Sequence, residues 1–286
     1  MIASTSGSPS GWNTTRLTTL AEVLEVLLDL KGRRWLCRGQ PVAFGNLQPG
    51  IDRALVGRPR LEKLDFERSS IDFLRQTVRY YAAPGERHAM SDDFVALMVL
   101  QHYGFRTRLL DWSGSAYVAA HFAVTDESLD HETSDAELWS FDEPQYEIAG
   151  REQWDKWPET KNSNGQFDAG LTAFLVDEPP DWVIAAFYST DEFPRQFAQN
   201  GAYTVTARFE RDHADALQNL FGSESVDHCR RYVIDHALKP ELRRTLRESH
   251  GIWRGSLFPD TAGAVATAAL VLERQFKIRS TVKRGP

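Results

Sequence analysis

The segment QHYGFRTRLLDWS, from Gln101 to Ser113, places nine hydrogen-bonding side chains within thirteen residues. An apolar run from Val95 to Leu100 precedes it, and the Ala-rich run YVAAHFA, from Tyr117 to Ala123, follows it. Both flanking runs are typical of buried helices. We therefore expect a polar segment held between regular elements, which is a common way to position a binding or reactive surface.

Outward from this segment, apolar periodicity predicts helices around a set of short strands. The predicted helices cover Thr18–Leu30, Leu61–Tyr81, Val95–Leu100, Ser115–Val124, Lys239–Glu248 and Thr261–Phe276. The predicted strands cover Trp35–Cys37, Leu109–Leu110, Glu137–Phe141, Trp182–Tyr188, Gly201–Phe209 and Arg230–Ile234. Helices first and then strands mixed with helices favour an α+β fold, with a mixed or antiparallel sheet core and flanking helices. The sequence contains no glycine fingerprint of a dinucleotide-binding fold or a P-loop.

The length of 286 residues suits one large domain, which we expect to span residues 18–276. The Ser- and Gly-rich residues 1–17 are predicted to form a disordered tail without the features of a signal peptide. The basic residues 277–286 are predicted to be a solvated C-terminal tail. Glycines and prolines make 41–59 a predicted loop. Residues 142–177 are polar and irregular, so we expect an insertion or a lid there.

Composition and charge narrow the functional classes. The hydrophobic share of 42% and the charged share of 26% are ordinary for a soluble globular protein. The formal net charge of −7 argues against broad electrostatic capture of nucleic acid, although a local basic groove is compatible with it. Two cysteines cannot build a disulfide framework, and the Cys and His spacing predicts no metal site. Because the cysteines are so few, we expect a reducing, cytoplasmic location. We expect no membrane association, because no sufficiently long apolar run occurs.

Arg38 is the first candidate ligand-binding residue. It follows an apolar predicted strand and precedes Gly39, which permits close approach of the backbone. Arginine offers a planar fork for phosphate or carboxylate, and Gln40 adds an amide nearby. The alternative is an ion pair between Arg38 and a carboxylate such as Asp111. Cys37 is expected to be a buried strand residue rather than a nucleophile.

The first half of the polar segment contributes an amide, an imidazole and a phenol. Gln101 can read a carboxamide or a base edge with one donor and one acceptor. His102 is a candidate acid or base, and Tyr103 a candidate ligand contact. The alternative is that His102 and Tyr103 close the preceding helix by bonding its last carbonyl groups, with Gly104 as its C-cap.

The second half of the segment contributes Thr107, Arg108, Asp111, Trp112 and Ser113. Arg108 offers a fork for phosphate. Asp111 can orient an arginine or serve as a base, and Trp112 can stack on a flat ring. Ser113 fits best as the N-cap of the following helix, with a ligand contact as the alternative.

A third polar group surrounds Gly201. A glycine that enters a strand after the two amides of Gln199 and Asn200 suits a tight turn at a sheet edge. Gln199 and Tyr203 can line the same cleft as Arg38. A purely structural turn is equally compatible with this pattern.

With these motifs the chain resembles the FRG domain family, named for a Phe-Arg-Gly motif. The resemblance implies one FRG-type domain over residues 18–276, with the match running from Trp35 to Leu270. The matching signatures are Cys37-Arg38-Gly39, with its first position changed, Gln101–Ala123, Gln199–Gly201, Gly251-Ile252 and Leu257–Asp260.

The same motifs, in the same order, are similar to those of arginine-class mono-ADP-ribosyltransferases. That resemblance implies an ADP-ribosyltransferase-like fold with NAD as substrate. Arg38 would contact the pyrophosphate, and Ser113 or Thr107 would contact the nicotinamide ribose. Tyr103 or Trp112 would lie against the nicotinamide face.

Gly201 occupies the position that this resemblance assigns to the catalytic glutamate. Asp111 or Glu210 would then have to supply the carboxylate that stabilises an oxocarbenium-like transition state.

Three functions follow as hypotheses. The first is an NAD-binding ADP-ribosyltransferase-like enzyme of a bacterial toxin or phage-defence system, with a protein or RNA target. The second is a metal-independent nuclease or nucleotide hydrolase, and the third is a binding module for a nucleotide or another ligand. The predicted catalytic residues are His102, Arg108 and Asp111. The predicted ligand-binding residues are Arg38, Gln40, Gln101, Tyr103, Thr107, Trp112, Ser113, Gln199 and Tyr203.

Overall fold

The fold is given by a computed structural model that describes residues 11–78, 92–125, 131–155, 183–188 and 194–259, together with 265 and 268. Seven strands form one mixed sheet in the order β1-β7-β4-β2-β3-β6-β5. The pairing of β1 with β7 is parallel and every other pairing is antiparallel. The strands are β1 (Asn13–Leu17), β2 (Trp35–Gln40), β3 (Leu110–Ser113), β4 (Ala136–Asp142), β5 (Ile184–Tyr188), β6 (Gly201–Thr206) and β7 (Cys229–Ile234).

Helices flank this sheet, so the prediction of an α+β fold with a mixed sheet is confirmed. The longer helices are α1 (Leu20–Lys31), α3 (Arg60–Val78), α4 (Asp93–His102), α5 (Ala116–Val124), α6 (Glu143–Asp155), α8 (His213–Phe221) and α10 (Lys239–His250). The short ones are α2 (Gly50–Ala54), α7 (Pro194–Gln199), α9 (Ser225–His228) and α11 (Arg254–Leu257). Within the described residues, no helix combines the length and the hydrophobicity needed to cross a membrane.

Local capping explains where the main helices begin and end. Thr19 and Glu22 form a capping box that starts α1. Asp92 caps α4 by accepting from the backbone of its first turn, and Ser115 caps α5. Gly251, with φ of +67°, ends α10 in the left-handed conformation.

Strand side chains alternate between the two faces of the sheet. On one face, Cys37 and Leu138 pack with α1, α5 and α10. Val205 packs against α4 further along the sheet. On the opposite face, Trp112 and Trp139 form a core with α8. Both cysteines are buried, as expected for Cys37.

The sheet opens between β2 and β3. These strands are registered at a single pair, Cys37 with Ser113, whereas β2 and β4 pair along their whole length. Beyond that pair the two strands separate. This separation creates space inside the sheet for side chains and for a ligand.

Gly39 brings β2 against the backbone of α5. A Cβ atom at this position would overlap the carbonyl oxygen of Ala119 and lie 2.5 Å from the backbone nitrogen of Ala123. The glycine of the Arg-Gly pair is therefore required for the packing of a strand on a helix. This close packing places the neighbouring residue, Arg38, next to α5 and beside the gap between β2 and β3.

Four sequence predictions need correction here. The predicted tail, residues 1–17, includes β1, because residues 13–17 pair with β7 and so satisfy their backbone groups. The predicted loop at 41–59 contains α2, and the predicted irregular region begins with α6. Leu109–Leu110 was too short a strand prediction, because β3 extends to Ser113.

Some predictions fall outside the described residues. They are the remainder of the proposed lid, 156–177, the predicted helix Thr261–Phe276 apart from residues 265 and 268, and the basic tail 277–286.

Candidate functional site

A cavity of about 290 Å³ lies at the separation of β2 and β3. This volume is close to the lower end of the range for small-molecule sites. Its walls come from the three strands that carry the sequence motifs, β2, β3 and β6, and from α4, α5 and α7. Eight predicted site residues line it: Arg38, Gln101, His102, Asp111, Trp112, Ser113, Gln199 and Tyr203.

Arg38 crosses the gap in the sheet. Its Nη1 donates to the backbone oxygen of Asp111 at 2.6 Å and lies 3.9 Å from the Asp111 carboxylate. The Nε atom is buried and has no hydrogen-bond partner. Only 16% of the side chain is exposed. The guanidinium is thus partly paired, and it retains buried donor capacity at the cavity.

Burial lowers the pKa of Arg38, the carboxylate of Asp111 opposes that effect, and the positive charge of Arg53 adds to it. Arg53 in turn has its pKa lowered by burial and by Arg106. Arg38, which lines the cavity, is therefore one of three guanidiniums whose charges act on one another. An anionic ligand would relieve this repulsion, because it would neutralise charge that is partly removed from water.

A chain of hydrogen bonds orients Asp111. Gln101 Nε2 donates to Asp111 Oδ2 at 2.7 Å, and the Thr107 hydroxyl donates to Gln101 Oε1 at 2.6 Å. The Thr107 oxygen also accepts from the backbone of Leu109. Asp111 remains 56% exposed, so its carboxylate is fixed in orientation yet accessible. A carboxylate held in this way can stabilise a positive charge on a bound ligand or accept a proton from it.

The floor of the cavity rests on a buried polar network behind Trp112. The indole Nε1 donates to the Thr204 hydroxyl at 2.8 Å, and Thr204 Oγ1 lies 2.8 Å from His213 Nδ1. Burial lowers the pKa of His213 to about 3, and the charge of Arg38 adds to the effect. His213 is therefore neutral at ordinary pH and holds the indole in one orientation.

The third motif closes the cavity from the side of β6. Ser113 Oγ donates to the backbone oxygen of Gln199 at 2.7 Å. The Gln199 amide donates to the backbone oxygen of Leu257 at 3.1 Å, which ties it to α11. Gln196 donates to the Tyr203 hydroxyl, and burial raises the pKa of that phenol. Ser113 therefore joins two motifs and does not cap α5, because Ser115 is the cap.

His102 and Arg195 form the wall contributed by α4 and α7. Arg195 Nη1 donates to the backbone oxygen of His102 at 2.6 Å, and its guanidinium lies 4.1 Å from the ring centre of Phe258. His102 is the last residue of α4, so its carbonyl group has no partner within the helix. Arg195 supplies a hydrogen bond to this carbonyl, a role predicted from the sequence for His102 and Tyr103. Tyr103 is the C-cap of α4, and Gly104, which was predicted to be the C-cap, follows it with φ of +82°.

Arg108 lies outside the cavity, contrary to its prediction as a catalytic residue. Its Nε and Nη2 atoms donate to both carboxylate oxygens of Glu67, and both side chains are buried. The guanidinium also lies 4.1 Å from the ring centre of Phe209. Because its fork is engaged by a buried carboxylate, the role of Arg108 is to attach β3 to α3.

Three predicted ligand-binding residues also fall outside the cavity walls. Gln40 is buried and donates to the backbone oxygen of Asn46. Thr107 is buried and orients Gln101. Tyr103 is 70% exposed, with its ring against His102. Thr107 therefore influences the site through Gln101, whereas Gln40 stabilises the loop that contains Asn46.

The alternative carboxylate, Glu210, is also away from the cavity. It accepts from Lys63 Nζ at 2.8 Å, and the same ammonium group donates to Asp52. Asp111 is thus the acidic residue among the described cavity walls. Cys37 lines the cavity, but burial raises the pKa of its thiol far above neutrality, so it is no nucleophile there.

Sequence inspection did not assign a role to Gln196, Phe122, Thr125 or His213. The first three line the cavity, and His213 supports it from behind. Phe122 and Thr125 lie on or just after α5, where helical spacing from Ala119 could have indicated them. His213 begins α8 and acts through Thr204, whose contact with Trp112 joins β6 to β3 and leaves no local signal.

In the part of the chain that the structure describes, one group of side chains has the composition of a metal site: Asp135, Asp235 and His236. Arg16 already bridges both carboxylates, at 2.7 and 2.9 Å. The cluster is thus an ion-pair network that joins β1 to the end of β7.

Comparison with known families identifies a domain that contributes part of the cavity wall. Residues 33–132 match the FRG domain, and this range carries β2, α4, β3 and α5. The chain therefore contains an FRG domain over residues 33–132, as the motifs Cys37-Arg38-Gly39 and Gln101–Ala123 predicted. No curated protein and no solved structure matches the chain.

Proposed function

We propose that the cavity binds an NAD-like nucleotide and that the protein is an ADP-ribosyltransferase-like enzyme. The observation that carries this proposal is the meeting of three separate motifs in one cavity around Arg38, whose buried Nε lacks a partner. An arginine in this state suits a phosphate group, because phosphate oxygens accept from the planar fork and neutralise its charge.

In this proposal Arg38 holds the pyrophosphate and Trp112 supports the wall against which a flat ring packs. Gln101 and Gln199 present amides to the cavity, although Gln101 also makes two internal hydrogen bonds and Gln199 makes one. An amide with further donor or acceptor capacity can recognise the carboxamide of nicotinamide.

Asp111 is the proposed catalytic carboxylate. The glycosidic bond between the ribose C1′ and the nicotinamide nitrogen breaks, and its electron pair leaves with neutral nicotinamide. The carboxylate of Asp111 stabilises the positive charge that develops on the ribose. A nucleophile of the target then forms the new bond to C1′ and releases its proton to solvent or to a base at the site.

Asp111 can take this role although Gly201 lacks a side chain. Asp111 pairs with Tyr203 across β3 and β6, two residues along β6 from Gly201. The carboxylate would therefore come from the strand next to the one that carries it in the resembling enzymes.

Binding and turnover must be measured separately. Calorimetric titration with NAD, and release of nicotinamide from NAD in the presence of bacterial extract, should both occur with the wild-type chain. Arg38→Ala should abolish both, whereas Asp111→Asn should bind NAD and release no nicotinamide. The surface variants Arg58→Ala and Asp227→Asn, which lie away from the cavity walls, serve as matched controls.

The outcomes separate two functions. NAD binding that depends on Arg38, with no nicotinamide release or transfer, would identify a non-catalytic nucleotide-binding module, which the glycine at position 201 favours. Absence of NAD binding would overturn the proposal. The nuclease hypothesis is weakened, because Arg108, one of its proposed phosphate ligands, is buried against Glu67.

The biological setting rests on the resemblance and, for the location, on the cysteine content. A bacterial toxin or phage-defence role, a protein or RNA target and a cytoplasmic location remain predictions.

A further inference from the structure

A second cavity, of about 330 Å³, lies between α5, α10 and the segment that leads into α11. Four arginines line it: Arg243, Arg244, Arg247 and Arg254. No carboxylate lies among its described lining residues. This concentration of positive charge occurs in a chain whose net charge is −7. It is the kind of local basic site that the overall charge does not exclude.

The helix α10 arranges these guanidiniums. Arg243 and Arg247 are four residues apart and therefore project from one face, with Arg244 beside them. Arg243 Nε donates to the backbone oxygen of Val124 at 3.0 Å, and its Nη2 pairs with Glu132. Arg243 thus fixes α10 to the end of α5. It is a structural member of the cavity wall.

Arg244 and Arg247 make weaker contacts within the protein than Arg243 does. Arg244 contacts Glu241 at 3.5 Å with both side chains more than half exposed. Arg247 contacts its neighbour Glu248 at 3.1 Å, and its buried Nε has no hydrogen-bond partner. Exposed ion pairs of this kind contribute little free energy, so an anion can replace them at small cost.

The remaining walls are aromatic and apolar. Trp253 and Ile252 line the cavity next to the arginines, and Pro240 contributes from the first turn of α10. The imidazole of His121 also lines it, and burial together with Arg243 lowers its pKa to about 4. An aromatic wall beside several guanidiniums is the combination that binds a base and its phosphate.

We propose that this cavity is a second binding site, specific for a nucleoside phosphate, with Arg244 and Arg247 on the phosphate and Trp253 against the base. Its concave shape encloses a group of nucleotide size, whereas a membrane surface would require a flat or convex basic face. The ligand is either a free mononucleotide or one nucleotide of a single-stranded RNA.

The second site lies next to the first. Thr125, at the end of α5, lines both cavities. The proposal nevertheless stands apart from the proposed function, because none of its phosphate ligands belongs to the Arg38 cavity.

The test uses AMP and a hexa-adenylate RNA in calorimetric titrations of the full chain carrying Arg38→Ala, which removes the first site. AMP should still bind, and adding Arg247→Ala or Arg244→Ala should weaken that binding roughly tenfold or more. The matched control, Arg58→Ala, should leave the affinity unchanged. Because Arg244 is 61% exposed, Arg244→Ala should fold normally. This variant therefore tests phosphate binding even if Arg247→Ala impairs folding.

The two sources of the ligand are distinguished by the same titrations. If RNA binds more tightly than AMP and Arg244→Ala lowers the salt dependence of RNA binding by about one counterion, the ligand is a strand. Equal or weaker RNA binding identifies a free nucleotide. Loss of all AMP binding on Arg38→Ala, or unchanged binding on both Arg244→Ala and Arg247→Ala, would overturn the proposal. Failure of NAD binding at the first cavity leaves these results unaffected.

Discussion

Arg38 donates a hydrogen bond from Nη1 to the backbone oxygen of Asp111, across the gap where β2 and β3 no longer pair. The contact replaces the missing ladder between the strands with one side-chain bond. The same guanidinium lines the cavity and keeps a buried Nε without a partner. Arg38 therefore stabilises the separated strands and is also available to bind a ligand. A useful variant must change one of these roles and leave the other intact.

Arg38→Lys makes that separation. A lysine ammonium keeps the positive charge and can donate to Asp111, but it lacks the planar fork that binds a phosphate with two parallel bonds. We expect about a tenfold or greater loss of NAD affinity, with a loss of about 1 kcal/mol or less in the free energy of unfolding. Titration calorimetry and urea unfolding measure the two effects. Arg58→Lys is the control, and unchanged NAD affinity in Arg38→Lys would contradict a phosphate role.

Gly39→Ala tests the close approach of β2 to α5. The new Cβ would overlap the Ala119 carbonyl oxygen, so either the strand or the helix must move. We expect a loss of about 3 kcal/mol or more in the free energy of unfolding, as for other overpacked sites.

Gly32→Ala is the matched control for Gly39→Ala. Its φ is −72°, and a Cβ there would meet its nearest atom, the Asp29 carbonyl oxygen, at 3.5 Å. Because alanine restricts the unfolded chain, this variant should be neutral or slightly stabilised. Equal urea midpoints for the two variants would argue against the steric account.

The residues that met in the cavity were those with strong local signals. Arg38 follows an apolar strand, Gln101 ends a helix, and Gln199 precedes a glycine that enters a strand. Local periodicity and turn chemistry can predict such positions from sequence, because neighbouring residues determine them. Their convergence is determined by the order of strands in the sheet, which the sequence did not predict.

The errors have a common physical cause. Arg108 looked accessible because it lies in a polar segment, but its partner, Glu67, is 41 residues earlier in the chain. His213 carried no signal, because it begins α8 and acts on the site through Thr204 of β6, which holds the indole of Trp112 from β3. β3 was assigned too few residues because Asp111 and Ser113 are polar and the strand has only four residues, whereas its pairing with β6 satisfies their backbone groups. The deciding contacts of Arg108 and Trp112 join residues that lie far apart in the sequence.

Arg108→Ala tests the structural role of the buried ion pair with Glu67. The substitution would leave a carboxylate without its partner in the interior, which costs about 3–5 kcal/mol. The double variant Glu67→Leu/Arg108→Met should recover most of that loss, because it removes both buried charges. Chemical unfolding measures stability, and NAD titration of the double variant checks the site. A loss of turnover in a stable double variant with intact NAD binding would restore the catalytic role of Arg108.

Asp212 provides a test through pH. It caps α8, and its Oδ1 accepts from the backbone of Leu47 and Ala214 at 2.9 and 2.8 Å. Burial raises its pKa to about 6, and the charges of Asp215 and Glu137 act in the same direction against the backbone hydrogen bonds. The folded state therefore holds this proton at a pH where the unfolded chain, with a pKa near 3.8, has released it.

Because the folded state binds more protons between about pH 4 and pH 6, the contribution of Asp212 to stability falls as pH rises through that window. His121 and His213 act in the opposite direction below about pH 6.5, since burial lowers their pKa values and unfolding takes up protons. The dependence of the unfolding free energy on pH therefore contains contributions of both signs. The difference in unfolding free energy between wild type and Asp212→Asn isolates the contribution of the carboxyl group. Asparagine keeps an oxygen for the cap and carries no charge, so the variant should be more stable at pH 7 and lose its advantage towards pH 4. Urea unfolding across this range measures the difference, with Asp227→Asn as an exposed control. A difference that does not vary with pH would show that Asp212 titrates as it does in the unfolded chain.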